Sequence, residues 1–324
     1  MAVITFEDIR DIYVKLRQRG FDFLLSKLSP SATSRTKSSF NDTDNITAYW
    51  SEVPAVRRRW NKMITDDESM EYEQYLSRLV TPVMPQAKVL SVGSGYCSHE
   101  LKLAAMNPQW HITCIDFSEK LLQYAAEEAR ARALCNLSFL AEDIYAYALP
   151  EKSFEMVFFH ASLHHFKPMD FIVQRVSQLL KDGGVLVLNE YVGPNRMQYS
   201  SEQRQAVNEG LAILPEAYKQ IYKTKLYKRR YYGSGLWRMV LSDPSECVES
   251  ARIMPMVHQY FHTKVEKGYG GNLLMPLLKD IAHHFMQDTE ESQALLQRLF
   301  DLEDAYLTTH PSDFVFGIYE KSMV

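Results

Sequence analysis

The chain has 324 residues, 46% of them apolar, enough to bury the core of one elaborated domain or two ordinary ones. A net charge of −4 excludes a chain-wide attraction for nucleic acid or anionic lipid, so any such binding has to be local. Four widely spaced cysteines with no C-x-x-C pair argue against a disulfide framework and a thiolate zinc centre, and no window reaches the roughly 18 uninterrupted apolar residues of a membrane span.

The opening stretch MAVITFEDIRDIYVKLRQRG puts Glu7, Asp8, Arg10 and Asp11 where a signal peptide needs an apolar run, so a cytoplasmic protein with reduced thiols is expected. Residues 1–28 read as one or two amphipathic helices, with Ile9, Ile12, Tyr13, Leu16, Phe23 and Leu24 near helical spacing. The Ser-, Thr-, Asn- and Asp-rich stretch 29–45 predicts a flexible loop. Helical character returns from Ala48 to about Leu79, and residues 1–80 are expected to form an N-terminal helical cap.

From Lys88 strand and helix alternate. KVLSVG, HITCID, LSFLAED, FEMVFFH and GVLVLNEY read as strands; SHELKLAAM, SEKLLQYAAEEARARA and DFIVQRVSQLL read as helices, the second capped by Ser118. Such regular alternation implies right-handed crossovers, hence an α/β fold with a Rossmann-like, doubly wound, mostly parallel sheet and helices on both faces.

After Tyr191 the alternation stops. Residues 193–250 read as a helical insertion, and within it YKQIYKTKLYKRRYYGSGLW (218–237) interleaves Lys219, Lys223, Lys225, Lys228, Arg229 and Arg230 with five tyrosines. That pattern fits a nucleic-acid stripe or, with the overall acidity in its favour, a lid helix whose tyrosines face a pocket. Its basic groups would then be solvated or bind an anionic small substrate. A strand FHTKVEKGY, helices at about 273–286 and 291–307, and a closing edge strand FVFGIYEK follow. The core is thus expected at 81–192 plus 251–324, with 193–250 as the lid. His258 and His262 lack an accompanying carboxylate or thiolate signature, and no metal is expected.

In such a sheet, ligands sit outside the carboxyl ends of the strands at the topological switch point. Gly93 and Gly95 end the first strand, where bare backbone permits a sharp turn and close approach of a cofactor to the next helix N-terminus. Asp116 ends the second strand, 23 residues after Gly93, and a carboxylate there can accept from a ribose diol. Asp143, in Glu142-Asp143-Ile144, follows the third strand and can accept from an exocyclic amine.

V-L-S-V-G-S-G-Y-C, the acid of C-I-D-F-S, A-E-D-I, F-E-M-V-F-F-H-A-S-L-H-H and L-K-D-G-G-V-L-V-L-N-E resemble the class I S-adenosylmethionine-dependent methyltransferases, over roughly 48–192 and more loosely to the closing strand. The resemblance implies S-adenosyl-L-methionine as cofactor. Gly93 and Gly95 would face its methionine part, Asp116 its ribose, Asp143 its adenine amine and His160 the methionine side, with Ser94, Phe117 and Ile144 in the same set. Trp50 and Trp60 are either core or part of a helical element that covers the cofactor in similar proteins. The family's usual third glycine is Cys97 here. A nicotinamide reading fails because G-x-G-x-x-G does not continue at Ser98.

Methyl transfer needs alignment more than acid–base work, but a hydroxyl acceptor needs a base. His164, His165 and Glu190, with Tyr191 beside it, stand at the ends of the two strands that flank the methyl position in this fold, and imidazole titrates nearest neutral pH. H-A-S-L replaces the N/D-P-P-Y/F motif for exocyclic base amines, which disfavours nucleic acid as acceptor. A small aromatic or apolar acceptor, methylated on O or N, is expected instead, lined by Tyr191, Arg196, Tyr222 and Trp237. The rival readings are a non-catalytic cofactor-binding partner protein and a nucleic-acid methyltransferase.

Overall fold

The computed structural model describes residues 3–19 and 49–321. The loop expected at 29–45, together with Phe23 and Leu24, lies outside the described residues. In chain order the elements are α1 (Phe6–Arg19), α2 (Pro54–Thr65), α3 (Tyr72–Val80), β1 (Lys88–Val92), α4 (Ser98–Met106), β2 (His111–Asp116), α5 (Glu119–Ala131) and β3 (Leu137–Ala141). Then come β4 (Phe154–His160), α6 (Met169–Leu179), β5 (Leu180–Tyr191), α7 (Ser201–Ile213), α8 (Leu236–Ser242), α9 (Ile253–Tyr260), β6 (Phe261–Gly268), α10 (Leu274–Leu278), α11 (Glu290–Leu307) and β7 (Phe314–Lys321). No helix among the described residues is long and apolar enough to cross a membrane.

The strands form one mostly parallel sheet in the order β3-β2-β1-β4-β5-β7-β6. Parallel registers pair Val92 with Ile115, Asp116 with Ala141 and His160 with Asn189. The carboxyl ends of β1 to β5 therefore share one edge, and the chain changes its direction of travel across the sheet between β1 and β4. That crevice is the switch point where ligands bind in open α/β sheets.

The chain divides into two compact units, one of residues 64–192, 248–267 and 315–324, the other of 1–63, 193–247 and 268–314. In the sheet unit Leu90, Val92, Val157, Phe159, Leu186 and Leu188 pack with Ile172, Val173 and Val176 of α6, and all of them are buried. Each such side chain contributes on the order of 1.5–3 kcal/mol. The helical unit has its own core, built from Val207 and Leu211 of α7, Leu274 and Leu277 of α10, and Leu295, Leu296 and Leu299 of α11. Residues 268–314, expected with the sheet, are grouped with the helical unit because α10 and α11 put their leucines on α7. Residues 64–80, expected in the cap, go with the sheet.

Three local expectations are corrected. The stretch 218–237 is not a lid helix: an antiparallel bridge joins Gln220 to Tyr227, and α8 begins only at Leu236. Lys228 holds that loop in place, fully buried, with Nζ donating to the carbonyls of Pro276 and Lys279 at 2.7 Å each. The helix expected at 273–286 stops at Leu278, and Asp280 follows in the left-handed region (φ 69°). Finally, α1 is a helix with its faces exchanged. Ile9, Ile12, Tyr13 and Leu16 are exposed while Glu7, Asp8, Arg10 and Asp11 are buried. The buried charges have partners: Asp8 accepts from the Gly235 N–H at 2.8 Å, Asp11 pairs with Lys279 at 2.6 Å, and Arg10 donates to the Arg230 carbonyl at 3.1 Å.

Candidate functional site

The turn after β1 is built on positive backbone angles: Gly93 at φ 67°, Gly95 at 52° and Cys97 at 55°. Gly93 is required twice over, because a Cβ there would lie 2.8 Å from Ser162 Cβ. At Gly95 a Cβ would meet nothing within 4 Å, so this backbone faces open space. Cys97, standing where the family pattern has glycine, keeps the left-handed angle that glycine would adopt without strain and caps α4 with no side-chain bond. The first N–H groups of α4 thus lack a side-chain acceptor of the usual capping kind.

Asp116, at the end of β2, ties this turn to the next helix. Its Oδ2 accepts from the Gly95 N–H at 2.9 Å and its Oδ1 from the Ser118 N–H at 2.8 Å. Ser118 stands at the N-cap of α5, as expected, though its side chain makes no cap bond. The open backbone at Gly95 and the carboxylate beside it fit the methionine and ribose parts of S-adenosylmethionine. Phe117 is partly exposed next to them. After β3, Asp143 is exposed and its Oδ1 accepts from the Tyr145 N–H at 2.9 Å, while Ile144 is buried below. The Ser94 hydroxyl is buried.

The turn after β4 is organised by Glu190 near the end of β5, 1% exposed. Its Oε2 accepts from the Ser162 and Leu163 N–H groups at 2.8 and 2.6 Å, and its Oε1 from the Tyr191 N–H at 2.8 Å. Oε1 also bonds Nδ1 of His164, itself only 7% exposed. In a bond from imidazole to carboxylate the hydrogen lies on His164 Nδ1. The His165 ring lies beside it, tilted by 41° with ring centres 4.2 Å apart. Ser162 joins this turn to the glycine turn, its hydroxyl donating to the Val92 carbonyl at 2.7 Å.

His160, the last residue of β4, is held in an aromatic stack. Tyr72 of α3 lies parallel to it at 5.6 Å with its hydroxyl 2.9 Å from Nδ1, and the His99 ring centre is 3.5 Å away. Burial, with the neighbouring His99 adding to it, holds His160 well below the ordinary imidazole range, so it is neutral. Behind it, Glu73 bonds His99 Nδ1 at 2.7 Å and lies 3.4 Å from Lys102. Burial pushes the Glu73 carboxyl up, but His99 and Lys102 outweigh it and hold it below the usual carboxylate range. Tyr72, His99 and Glu73 were not singled out by the sequence, which showed them as ordinary helix positions.

The structure thus brings the cofactor and base candidates together on the sheet unit. Tyr191 is buried there, its ring 6.3 Å from that of His164. The other acceptor-lining candidates belong to the helical unit. Arg196 donates to the carbonyls of Glu246 and Pro244 at 3.0 and 2.6 Å, which makes its guanidinium a clasp on that loop. Tyr222 packs against His283 at 5.0 Å, and Trp237 is 59% exposed. Trp50 and Trp60 pack on each other at 4.7 Å and on Phe314, as core of that unit.

A family model described as a methyltransferase domain matches residues 84–266. Among curated proteins, the 27-O-demethylrifamycin SV methyltransferase of Amycolatopsis mediterranei is 26% identical over 159 residues, covering 46% of this chain and 58% of its own. The demethylmenaquinone methyltransferase of Geobacillus stearothermophilus is 24% identical over 152 residues, 47% of this chain and 62% of its own. The chain therefore spans about three-fifths of the length of the curated relatives it matches. A solved geranyl diphosphate methyltransferase in complex with SAM aligns over 78% of this chain and 84% of that one, at 9% identity and a TM-score of 0.48.

Proposed function

The chain belongs to the methyltransferase-domain family, of the class I S-adenosylmethionine-dependent kind, and from that premise we propose that it methylates a small-molecule acceptor. The observation that carries the reading further is the His164–Glu190 pair on the turn that Ser162 joins to the glycine turn. When bound, S-adenosylmethionine supplies a sulfonium methyl whose departure needs little acid–base help. Gly93, Gly95 and Asp116 would hold its methionine and ribose parts, with Asp143 and Ile144 toward the adenine and neutral His160 on the methionine side.

For a hydroxyl acceptor the protein's task is to take one proton. His164 Nε2 receives it, and the buried Glu190 carboxylate stabilises the imidazolium that results while fixing its tautomer. Glu190 itself is a positioning residue, because its oxygens already serve three backbone N–H groups. A nitrogen acceptor would ask less of this pair. An apolar or aromatic acceptor and a cytoplasmic setting complete the proposal.

Calorimetry with S-adenosylmethionine and its demethylated product, on wild type and Asp116→Ala, tests the cofactor half. Loss of a charged hydrogen bond costs roughly 1.5–3 kcal/mol, so affinity should fall about 10- to 100-fold. Equal affinities would remove Asp116 from the ribose. Incubation with methyl-labelled cofactor and a small-molecule extract tests the transfer, and binding with no labelled product would leave a cofactor-binding protein without catalysis. Labelled nucleic acid from the same extract would overturn the acceptor class.

A further inference from the structure

The basic groups that the methyl-transfer reading leaves aside converge on one wall of the helical unit. Arg204 of α7 and Arg229 and Arg230 of the 214–235 loop line a cavity of about 600 Å³. An adjoining cavity of about 370 Å³ shares Arg204, Ser201 and Tyr232. Among the described residues Glu216 is the carboxylate paired with this trio, on Arg229 at 2.5 Å. Neither Arg204 nor Arg230 has a carboxylate partner there.

The wall is preorganised. Asn208 of α7 clasps the Tyr231 backbone from both sides, accepting from its N–H at 2.8 Å and donating to its carbonyl at 3.0 Å. Arg10 donates to the Arg230 carbonyl at 3.1 Å, which holds the same loop from α1. Arg204 is steered by a 2.7 Å bond from Nη1 to the Tyr199 carbonyl. It passes so close to Gly233 (φ 83°) that a Cβ there would lie 2.8 Å from its Cδ. The Arg230 guanidinium sits 5.5 Å over the Tyr232 ring. All three arginines line the one cavity, Arg229 beside Glu216, and a bound anion would give Arg204 and Arg230 a charge partner as well.

We propose that this cavity binds a small anionic ligand through its oxyanion groups, carboxylate or phosphate. The planar fork of arginine matches both, and the aromatic ring of Tyr232 supplies an apolar edge for the ligand's skeleton. The site is built from residues of the helical unit and does not depend on methyl transfer.

The test is calorimetric titration of the full chain with citrate and, separately, with inorganic phosphate, at low and at 0.3 M salt. Saturable one-to-one binding of either, weakened by salt and reduced at least about 10-fold in Arg230→Gln, is expected. Binding of citrate alone assigns the carboxylate source, binding of phosphate alone the phosphate source, and both support the site. Arg204→Lys, which keeps the charge but loses the fork, should weaken binding as well. Arg230 is exposed, so an unchanged melting curve for Arg230→Gln shows that the effect is local. No saturable binding of either anion, or equal affinity in wild type and Arg230→Gln, overturns the proposal.

Discussion

Replacing Glu190 by glutamine keeps the shape of the side chain and reverses half of its hydrogen-bonding. One oxygen of Glu190 serves the Ser162 and Leu163 N–H groups, the other the Tyr191 N–H and His164. Glutamine has one oxygen, so whichever way its amide turns, two buried donors face an NH₂. Two charge-assisted bonds at about 1.5–3 kcal/mol each make about 3–6 kcal/mol, and relief from burying a charge offsets part of it. A net loss of about 2–4 kcal/mol in urea unfolding is expected, with the slope against urea unchanged. If a hydroxyl acceptor is used, single-turnover methylation should also fall by about 10²-fold or more, because His164 loses its fixed tautomer. A variant within about 1 kcal/mol of wild type and equally fast would refute both the turn-holding and the orienting roles.

His164→Ala should lower the single-turnover rate about 10²-fold with cofactor affinity nearly kept, and more than His165→Ala does, because Glu190 holds the His164 ring; the reverse order in a pH–rate series would move the base to His165. Gly95→Ala should cost only about 1–2 kcal/mol of stability, the strain of its left-handed angle, yet weaken S-adenosylmethionine at least about 10-fold in calorimetry. Gly93→Ala should cost more stability, since its Cβ also meets Ser162, and unfolding curves of the two variants check the order. Burial, with Glu303 adding and Gln203 opposing, pushes the Asp313 carboxyl up to about 7. Its contribution is therefore intact below about pH 4 and lost as pH rises through about 7. Asp313→Asn should match wild type near pH 4 and exceed it by on the order of 2–4 kcal/mol at pH 8, and a constant difference across urea melts in that range would contradict it.

The strands were legible because their signal is local. KVLSV, HITCID and FEMVFFH are short β-branched or aromatic runs ended by Gly, Asp or His, and period and punctuation suffice. The glycine turn and Asp116 were legible for the same reason. The roles around them were not, since Glu190 meets Ser162, Leu163 and His164 26 to 28 residues away and Tyr72 meets His160 across 88. The faces of α1 were misread because its charged residues find partners more than 200 positions on, at Arg230, Gly235 and Lys279. Tyr218 and Tyr222, four apart, and Tyr227 and Tyr231, four apart, imitate a helix. That pattern could not announce that Lys228, between them, would be drawn into the interior by two carbonyls.

Ser162 touches the two halves of the site with every part of itself: its Cβ lies where Gly93 permits no side chain, its hydroxyl holds the end of β1, and its N–H is held by the carboxylate that orients His164. One residue's displacement is thus felt at both turns, and linkage makes the influence mutual. Any change that protonation of His164 makes in the affinity of a ligand at the glycine turn is then matched by an equal change that the ligand makes in the proton affinity of His164.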